Sequence, residues 1–491
     1  MKKLALILFA IVGALATVIL IRTARFSSRQ IHAGPIQTIA IDREAAARRL
    51  STAIQFKTTS FQESGNSASR EFVGLRTFIE KSFPSVHRHL SQEIVGDYSL
   101  VYTWPGQDSR LKPFLLMAHM DVVPVDPSST SAWHHPPFSG EVADGYIWGR
   151  GAMDDKASVL GILEAVEHLL ANHFQPDRTL YLAFGHDEEI GGARGAAKIA
   201  ELLRSRGVEL DYVLDEGLNI FTGVIPDIIA PVALIGVAEK GYLSLELSVE
   251  AAGGHSSAPP EHTAIGVMSR ALRRLDAAPF PARLSGATRR MLEFLGPEMP
   301  WQKKLALANL WLFEPLVRKQ LAASPLTNAA IRTTAAPTIF NAGVKENVLP
   351  AKATAVINLR LLPGDTIAGA TEHVRRAIND PDVKITPLPI QTEPSAITDA
   401  ETENFNLLHR TIRQTAPEAL VAPALLIATT DSRHYRALTR NTFRFLPITL
   451  GPEDVKRYHG IDERIAIQDY ERCIRFYAQL IMNSNQPASS Q

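Results

Sequence analysis

The stretch FLLMAHMDVV, residues 114–123, decides how the rest of the chain is read. Its first residues form an apolar run suited to a buried strand, and the run ends on His119-Met120-Asp121. The same logic recurs three times. Tyr146–Trp148 leads into GRGAMDDKAS with Asp154 and Asp155, Leu180–Phe184 into GHDEEIGG with Glu188 and Glu189, and Tyr212–Leu214 into Asp215-Glu216-Gly217. Far downstream, RYHGIDE adds His459. In an open α/β sheet the ligand crevice lies outside the carboxyl ends of the strands, so side chains at four such ends can converge. Singly, each segment has an ordinary explanation: a satisfied histidine, a solvated acidic turn, or an N-cap aspartate opening a helix through Ala157, Leu160, Leu163, Val166 and Leu169. Together, oxygen and imidazole donors in five places, with no thiolate among them, point to a two-metal hydrolase.

A chain of 491 residues, 45% hydrophobic, is too long for one compact core and is expected to make two domains. The ligand segments run from His119 to His459, whereas residues 239–362 contain none. That stretch is therefore expected to be an inserted domain between catalytic halves at 35–238 and 363–482, with 483–491 a disordered tail. Inside the insert, Leu243, Leu245, Leu247 and Val249 alternate with polar residues as in a half-buried strand. Between Arg289 and Leu321 the spacing predicts a helical pair covering the smaller sheet and broken at Pro315. A greasy wall for acyl chains or a membrane-facing patch is the sharper reading of its Trp301, Leu305, Trp311 and Phe313. The net charge of zero offers no basic field for nucleic acid. The single cysteine, Cys473, lies in a helical pattern with Tyr470, Ile474 and Tyr477, which predicts a core position and no intrachain disulfide.

Residues 1–30 carry a separate signal. Lys2 and Lys3 precede an uncharged run from Leu4 to Ile21, followed by Arg22, Arg25 and Arg29. Such a run rises about 27 Å as a helix, near the hydrocarbon thickness of a bilayer and longer than a typical signal-peptide core. An uncleaved single-pass anchor with the catalytic part on the extracytoplasmic side is expected; the alternative is a cleaved signal that leaves a secreted or periplasmic enzyme.

Five stretches carry a family resemblance: HMDVVPV (119–125), GRGAMDDK (149–156), DEEIGG (187–192), GGHSSAP (253–259) and KENVLPA (345–351). Through them the chain resembles the co-catalytic zinc peptidase family of aminoacylases, acetylornithine deacetylases, succinyl-diaminopimelate desuccinylases and carboxypeptidase S. Asp155, where the family's deacetylases usually carry Met, looks most like carboxypeptidase S and the secreted N-acyl-amino-acid hydrolases of mammals. The resemblance implies an α/β fold: a zinc-peptidase catalytic domain with a central mixed sheet flanked by helices, interrupted by a smaller α+β lid or dimerisation domain. It implies two zinc ions per subunit, held by His119 and Glu216 on one side, Glu189 and His459 on the other, and Asp154 between them. Asp121 would orient His119, Glu188 would act as general base toward a bridging hydroxide, and His255 would donate to the oxyanion. Arg360 and Asn347 would read a free substrate carboxylate; Arg433 and His434 match more loosely.

The reaction so implied is hydrolysis of amide bonds in N-acyl amino acids or short peptides with a free carboxylate. A dipeptidase is the alternative enzyme, and a catalytically inactive binding homologue the alternative from another class. The partners expected are that substrate, a second copy through the lid, and a membrane through the N-terminal helix.

Overall fold

The computed structural model describes residues 1–34, 36, 39–61, 69–284 and 286–485. Eight strands form the main sheet in the order β1 (Ser91–Val95), β2 (Ser99–Trp104), β6 (Leu180–Gly185), β3 (Phe114–His119), β7 (Val213–Phe221), β16 (Thr442–Leu450), β8 (Val232–Glu239) and β15 (Leu420–Leu426). β3 is parallel to β6 and β7, β16 to β7, and β15 to β8, while β1 and β2 are antiparallel. The sheet is therefore mixed.

Strand alternation divides the core. Leu100, Tyr102, Phe114, Leu116 and Leu182 point toward α2 (Arg43–Gln55), α3 (Ser69–Ser82), α4 (Pro84–His89), α5 (Lys156–Ala171), α13 (Glu403–Thr415) and α14 (Ile467–Asn483). Their neighbours Val101, Leu115, Met117 and Ala183 pack on the other face against α6 (Ala196–Ser205). Cys473 is buried in α14.

A second, antiparallel sheet has the order β11 (Thr334–Ala342), β13 (Lys352–Leu361), β9 (Gly241–Glu250), β14 (Val383–Thr392). Leu243, Leu245, Leu247 and Val249 of β9 are buried under α7 (Ala264–Asp276) and α12 (Ile367–Ile378). The expected boundary at 362 falls short, because α12 and β14 belong with this sheet: β9 has two edges to pair, and β14 supplies the second. The remaining strands form a pair, β10 (Gly254–His255) with β12 (Val348–Leu349), and a three-stranded sheet of β4 (Val142–Ala143), β5 (Tyr146–Trp148) and β17 (Arg464–Ala466). So the strand before Asp154 stands outside the main sheet.

Three further expectations are corrected. The helical stretch is α8 (Gly286–Leu295), α9 (Trp301–Ala308) and α10 (Leu310–Leu321), followed by α11 (Pro325–Ala329), and α8 packs on β15 of the main sheet. Ala287, Phe294 and Leu295 join the main core, since α7 and α12 already cover the smaller sheet. Pro315 sits inside α10 without ending it, on the outward side where its missing N–H removes no core hydrogen bond. Finally, α14 continues to Asn483, whose buried amide donates to Thr411 and Gln414, so the proposed tail cannot begin there. Residues 486–491 of that tail lie outside the described residues.

The N-terminal run forms α1 (Lys2–Arg25), a helix long and apolar enough to cross a membrane.

Candidate metal centre

β3 delivers His119 to the carboxyl end of the sheet with almost no exposure. Its Nε2 lies 2.9 Å from Oδ1 of Asp154, and Oδ2 of the same carboxylate lies 3.2 Å from Nε2 of His459. Asp154 thus stands between two imidazoles. Glu189 Oε2 is 3.3 Å from His459 Nε2, and donor atoms of His119, Asp154 and Glu189 all fall within 4.8 Å of one another. Residues from 119, 154, 189 and 459 are brought together in this way.

Asp121, expected to orient the histidine, is fully buried. Its carboxylate accepts hydrogen bonds from Ser60 Oγ (2.6 Å) and from the backbone N–H groups of Glu188 (3.1 Å) and Glu189 (3.2 Å). His119 Nδ1 lies closer to the Asp121 main-chain oxygen (3.0 Å) than to its carboxylate (3.4 Å). The carbonyl therefore fixes the imidazole while the carboxylate fixes the acidic turn that carries both glutamates.

Asp215 and Glu216 lie within β7 rather than after it. The pairing with β16 slips between Asp215 and Leu218, and Gly217 takes φ +141° at the irregularity. A Cβ on Gly217 would come 2.9 Å from that of Arg444, so the close approach of β7 and β16 needs glycine here. Asp155 occupies the N-cap position of α5 but makes no capping bond. Its carboxyl is turned inward, 3.4 Å from the His119 amide.

Electrostatics follow from crowding. Burial acts to raise Asp154, yet hydrogen bonds from His119 and His459 hold it below the ordinary carboxylate range. Burial would lower His119, but its contacts to Asp121 and Asp154 raise it well above the usual imidazole value. His459 is raised to about 10 by Asp154 and Glu189. Burial, then neighbouring carboxylates, push Glu188 and Glu216 well upward; Asp431 is the main neighbour of Glu188 and Asp154 that of Glu216. Among the described residues, no hydrogen bond reaches the Glu216 carboxyl and no lysine or arginine ion-pairs with Asp154, Glu188, Glu189 or Glu216. Such a concentration of carboxyl groups around two imidazoles would be compensated by bound cations, and the all-oxygen-and-nitrogen donor set is one that zinc-like ions accept.

Glu463 is a partner that the sequence did not reveal. Fully buried, it accepts from the N–H groups of Gly151 (2.9 Å), Met153 (2.9 Å) and Asp154 (3.2 Å) and from Arg150 Nη1 (2.6 Å). Arg150 in turn donates to the carbonyls of His459 (3.1 Å) and Gly460 (3.0 Å). One buried ion pair therefore clasps the Asp154 loop to the His459 loop. Its only trace in the sequence is that RYHGIDE ends in glutamate and GRGAMDDK carries arginine.

The TTDSRHY loop also reaches the site. Ser432 N–H donates to Asp215 (2.8 Å), and Thr430 N–H donates to Glu239 (2.9 Å), which pairs with buried Arg444 (3.3 Å). Asp431 is buried against Gly185 and Gly192 with neither carboxyl oxygen hydrogen-bonded. Arg433 and His434 turn back onto the Thr430 and Gly191 carbonyls.

The substrate-side candidates are not in this cluster. His255 is exposed on β10, its Nδ1 2.8 Å from Ser257 Oγ, and the Asn347 carbonyl accepts from Ser256 N–H at 3.2 Å. Arg360, on β13, lies 4.8 Å from the Tyr242 ring centre and has no carboxylate partner among the described residues.

A mixed sheet flanked by helices, which brings His119 and Glu189 at its strand ends together with Asp154 and His459 from neighbouring loops, suits a hydrolase of the metallopeptidase class. The chain belongs to the peptidase family M20/M25/M40, whose model matches residues 115–483. It is 44% identical to the probable carboxypeptidase S-like 2 of Dictyostelium discoideum over 96% of this chain and 92% of that one. It is 42% identical to the N-fatty-acyl-amino acid synthase/hydrolase PM20D1 of Mus musculus over 92% and 90%. In fold it is similar to a M20 family metallo-carboxypeptidase from Sulfolobus solfataricus, with a TM-score of 0.66 and 18% identity over 91% of this chain and all of that one.

Proposed function

We propose that this chain is a two-zinc amidohydrolase acting on N-acyl amino acids or short peptides with a free carboxylate. The observation that carries the reading is the Asp154 carboxylate, with one oxygen beside His119 and the other beside His459. His119, Asp154 and Glu216 would hold one ion, and Asp154, Glu189 and His459 the other. When bound, such ions supply Lewis acidity toward a carbonyl and ease the deprotonation of water. Glu188 takes the proton of the attacking water and returns it to the leaving amide nitrogen, so that water and amide become acid and amine. Its backbone is anchored on Asp121, which keeps the base in register with its neighbour Glu189. His255 is the proposed donor to the developing oxyanion, delivered by closure of the smaller unit or by a second copy of the chain. The outer edge of β11, with exposed Ile339 and Phe340, is a suitable surface for that pairing. We place the protein at a membrane through α1, with the catalytic part on the extracytoplasmic side. Purified protein is expected to carry close to two zinc ions and to lose activity to a chelator; elemental analysis finding one ion or none after zinc reconstitution refutes the proposal.

Arg360 is proposed to bind the substrate carboxylate, with Asn347 lining the same pocket. An arginine left without an anion and desolvated beside Tyr242 and Lys240 favours this over a structural salt bridge. A charge-assisted pair contributes about 1.5 to 3 kcal/mol, so Arg360→Lys should lower kcat/KM on N-acyl amino acids roughly ten- to a hundred-fold. An amidated substrate should be poor for both enzymes. Wild-type cleavage of the amidated compound as fast as the acid would rule out carboxylate recognition.

A further inference from the structure

We propose that the outward face of α10, with Trp301 of α9, is a bilayer-docking surface that seats the protein on the headgroup–acyl boundary beside its own anchor. The proposal rests on reading α1 as a membrane helix.

The contact between α1 and the folded body sets the level. Thr23 and Ile19 of α1 receive hydrogen bonds from the Asn309 amide, 3.2 Å to the hydroxyl and 3.3 Å to the carbonyl, and Arg22 Nε lies 3.4 Å from the Ala308 carbonyl. Asn309 is the junction between α9 and α10. These bonds fall at the end of the apolar run, where Arg22 and Arg25 follow Ile21. If the run spans the hydrocarbon, the α9–α10 junction is held at the membrane–water boundary.

What α10 shows outward there is apolar. Trp311, Leu312, Pro315 and Leu316 recur at the spacing of a single helical face, and that face is exposed while Leu310 and Val317 turn inward. Trp311 is 55% exposed, Leu316 61%, and Trp301 on α9 52%. The Trp311 indole N–H bonds to Asn309 Oδ1 at 3.3 Å, which ties this ring directly to the residue that grips α1. An amphipathic indole with a satisfied N–H and an outward ring suits the interface. Lys319, just over two turns beyond Trp311, remains exposed where a phosphate headgroup could meet it. A bilayer is favoured over a protein partner because the surface is continuous with the anchor.

The chain supplies its own probe. Trp104, Trp133 and Trp148 are buried, so Trp301 and Trp311 are the exposed indoles. Full-length protein would be reconstituted into phosphatidylcholine–phosphatidylglycerol vesicles whose acyl chains are brominated near the headgroup. Tryptophan emission should be quenched relative to unbrominated vesicles, and the quenching should disappear in the Trp301→Phe, Trp311→Phe double variant while near-ultraviolet circular dichroism confirms its fold. Resistance to alkaline carbonate extraction tests the anchor separately. Protein that resists extraction but shows no quenching overturns the docking surface and leaves the anchor standing, as does cross-linking of two copies through this face. Protein that carbonate extracts overturns both.

Discussion

Replacing Glu188 by glutamine is expected to lower turnover by at least about 10²-fold while leaving the metal content unchanged. Glutamine keeps the shape of the side chain and its backbone bond to Asp121, but it cannot accept a proton from water and pass it on. Glu189 sits one residue along, beside His459, and Glu189→Ala should lose metal as well as activity. The comparison separates a proton shuttle from a ligand on adjacent positions. Equal metal loss in the two variants would show that the roles are wrongly divided.

Glu463→Ala should be among the most destabilising single changes in the molecule. It leaves buried Arg150 without its counter-charge and strands three backbone N–H groups, and removing one partner of a buried pair costs about 3 to 5 kcal/mol. Because the pair clasps the Asp154 and His459 loops, metal affinity should fall by about 10- to 100-fold in any variant that still folds. Glu463→Gln, which retains one acceptor oxygen, should lose less of both. Denaturant unfolding together with competition against a metal indicator measures the two effects, and an alanine variant with unchanged midpoint and affinity would remove Glu463 from the clasp.

Much of the architecture was legible because it is local. The apolar run before His119, the alternation in β9 and the helical spacing of α5 each state their own secondary structure. Gly217 misled because glycine after two acids reads as a stop, whereas here it lets a continuing strand pass close to Arg444. The helices after Gly286 were recognised, but an apolar face does not say against what it will be buried, and α8 covers β15 instead of the smaller sheet. In the same way, the Arg150–Glu463 pair joins residues 313 positions apart and has no periodic signature. His119, Asp154 and Glu189 stood out in the strand-end pattern and His459 beside it, and the resemblance supplied only their expected roles; how Asp121 divides its carbonyl and carboxylate between the imidazole and the acidic turn was not legible.

The position of β16 bears on how the protein is made. β7 and β8 pair with each other only at Ile220–Ala233 and Phe221–Val232, and they part to admit β16 between them. That strand ends at Leu450, whereas β7 ends at Phe221. At a synthesis rate of about 5 to 20 residues per second, a ribosome needs roughly 10 to 50 s to pass from one to the other. Until β16 is made, most of the β7 edge that it covers has no strand partner, and the far neighbour of β8, β15, is itself not complete until Leu426. His459 follows the filling strand by nine residues, so closure of the sheet and completion of the proposed metal centre become nearly one event late in translation. A chain shortened before β16 would be a substrate for chaperones and proteases, with no partly working enzyme left behind.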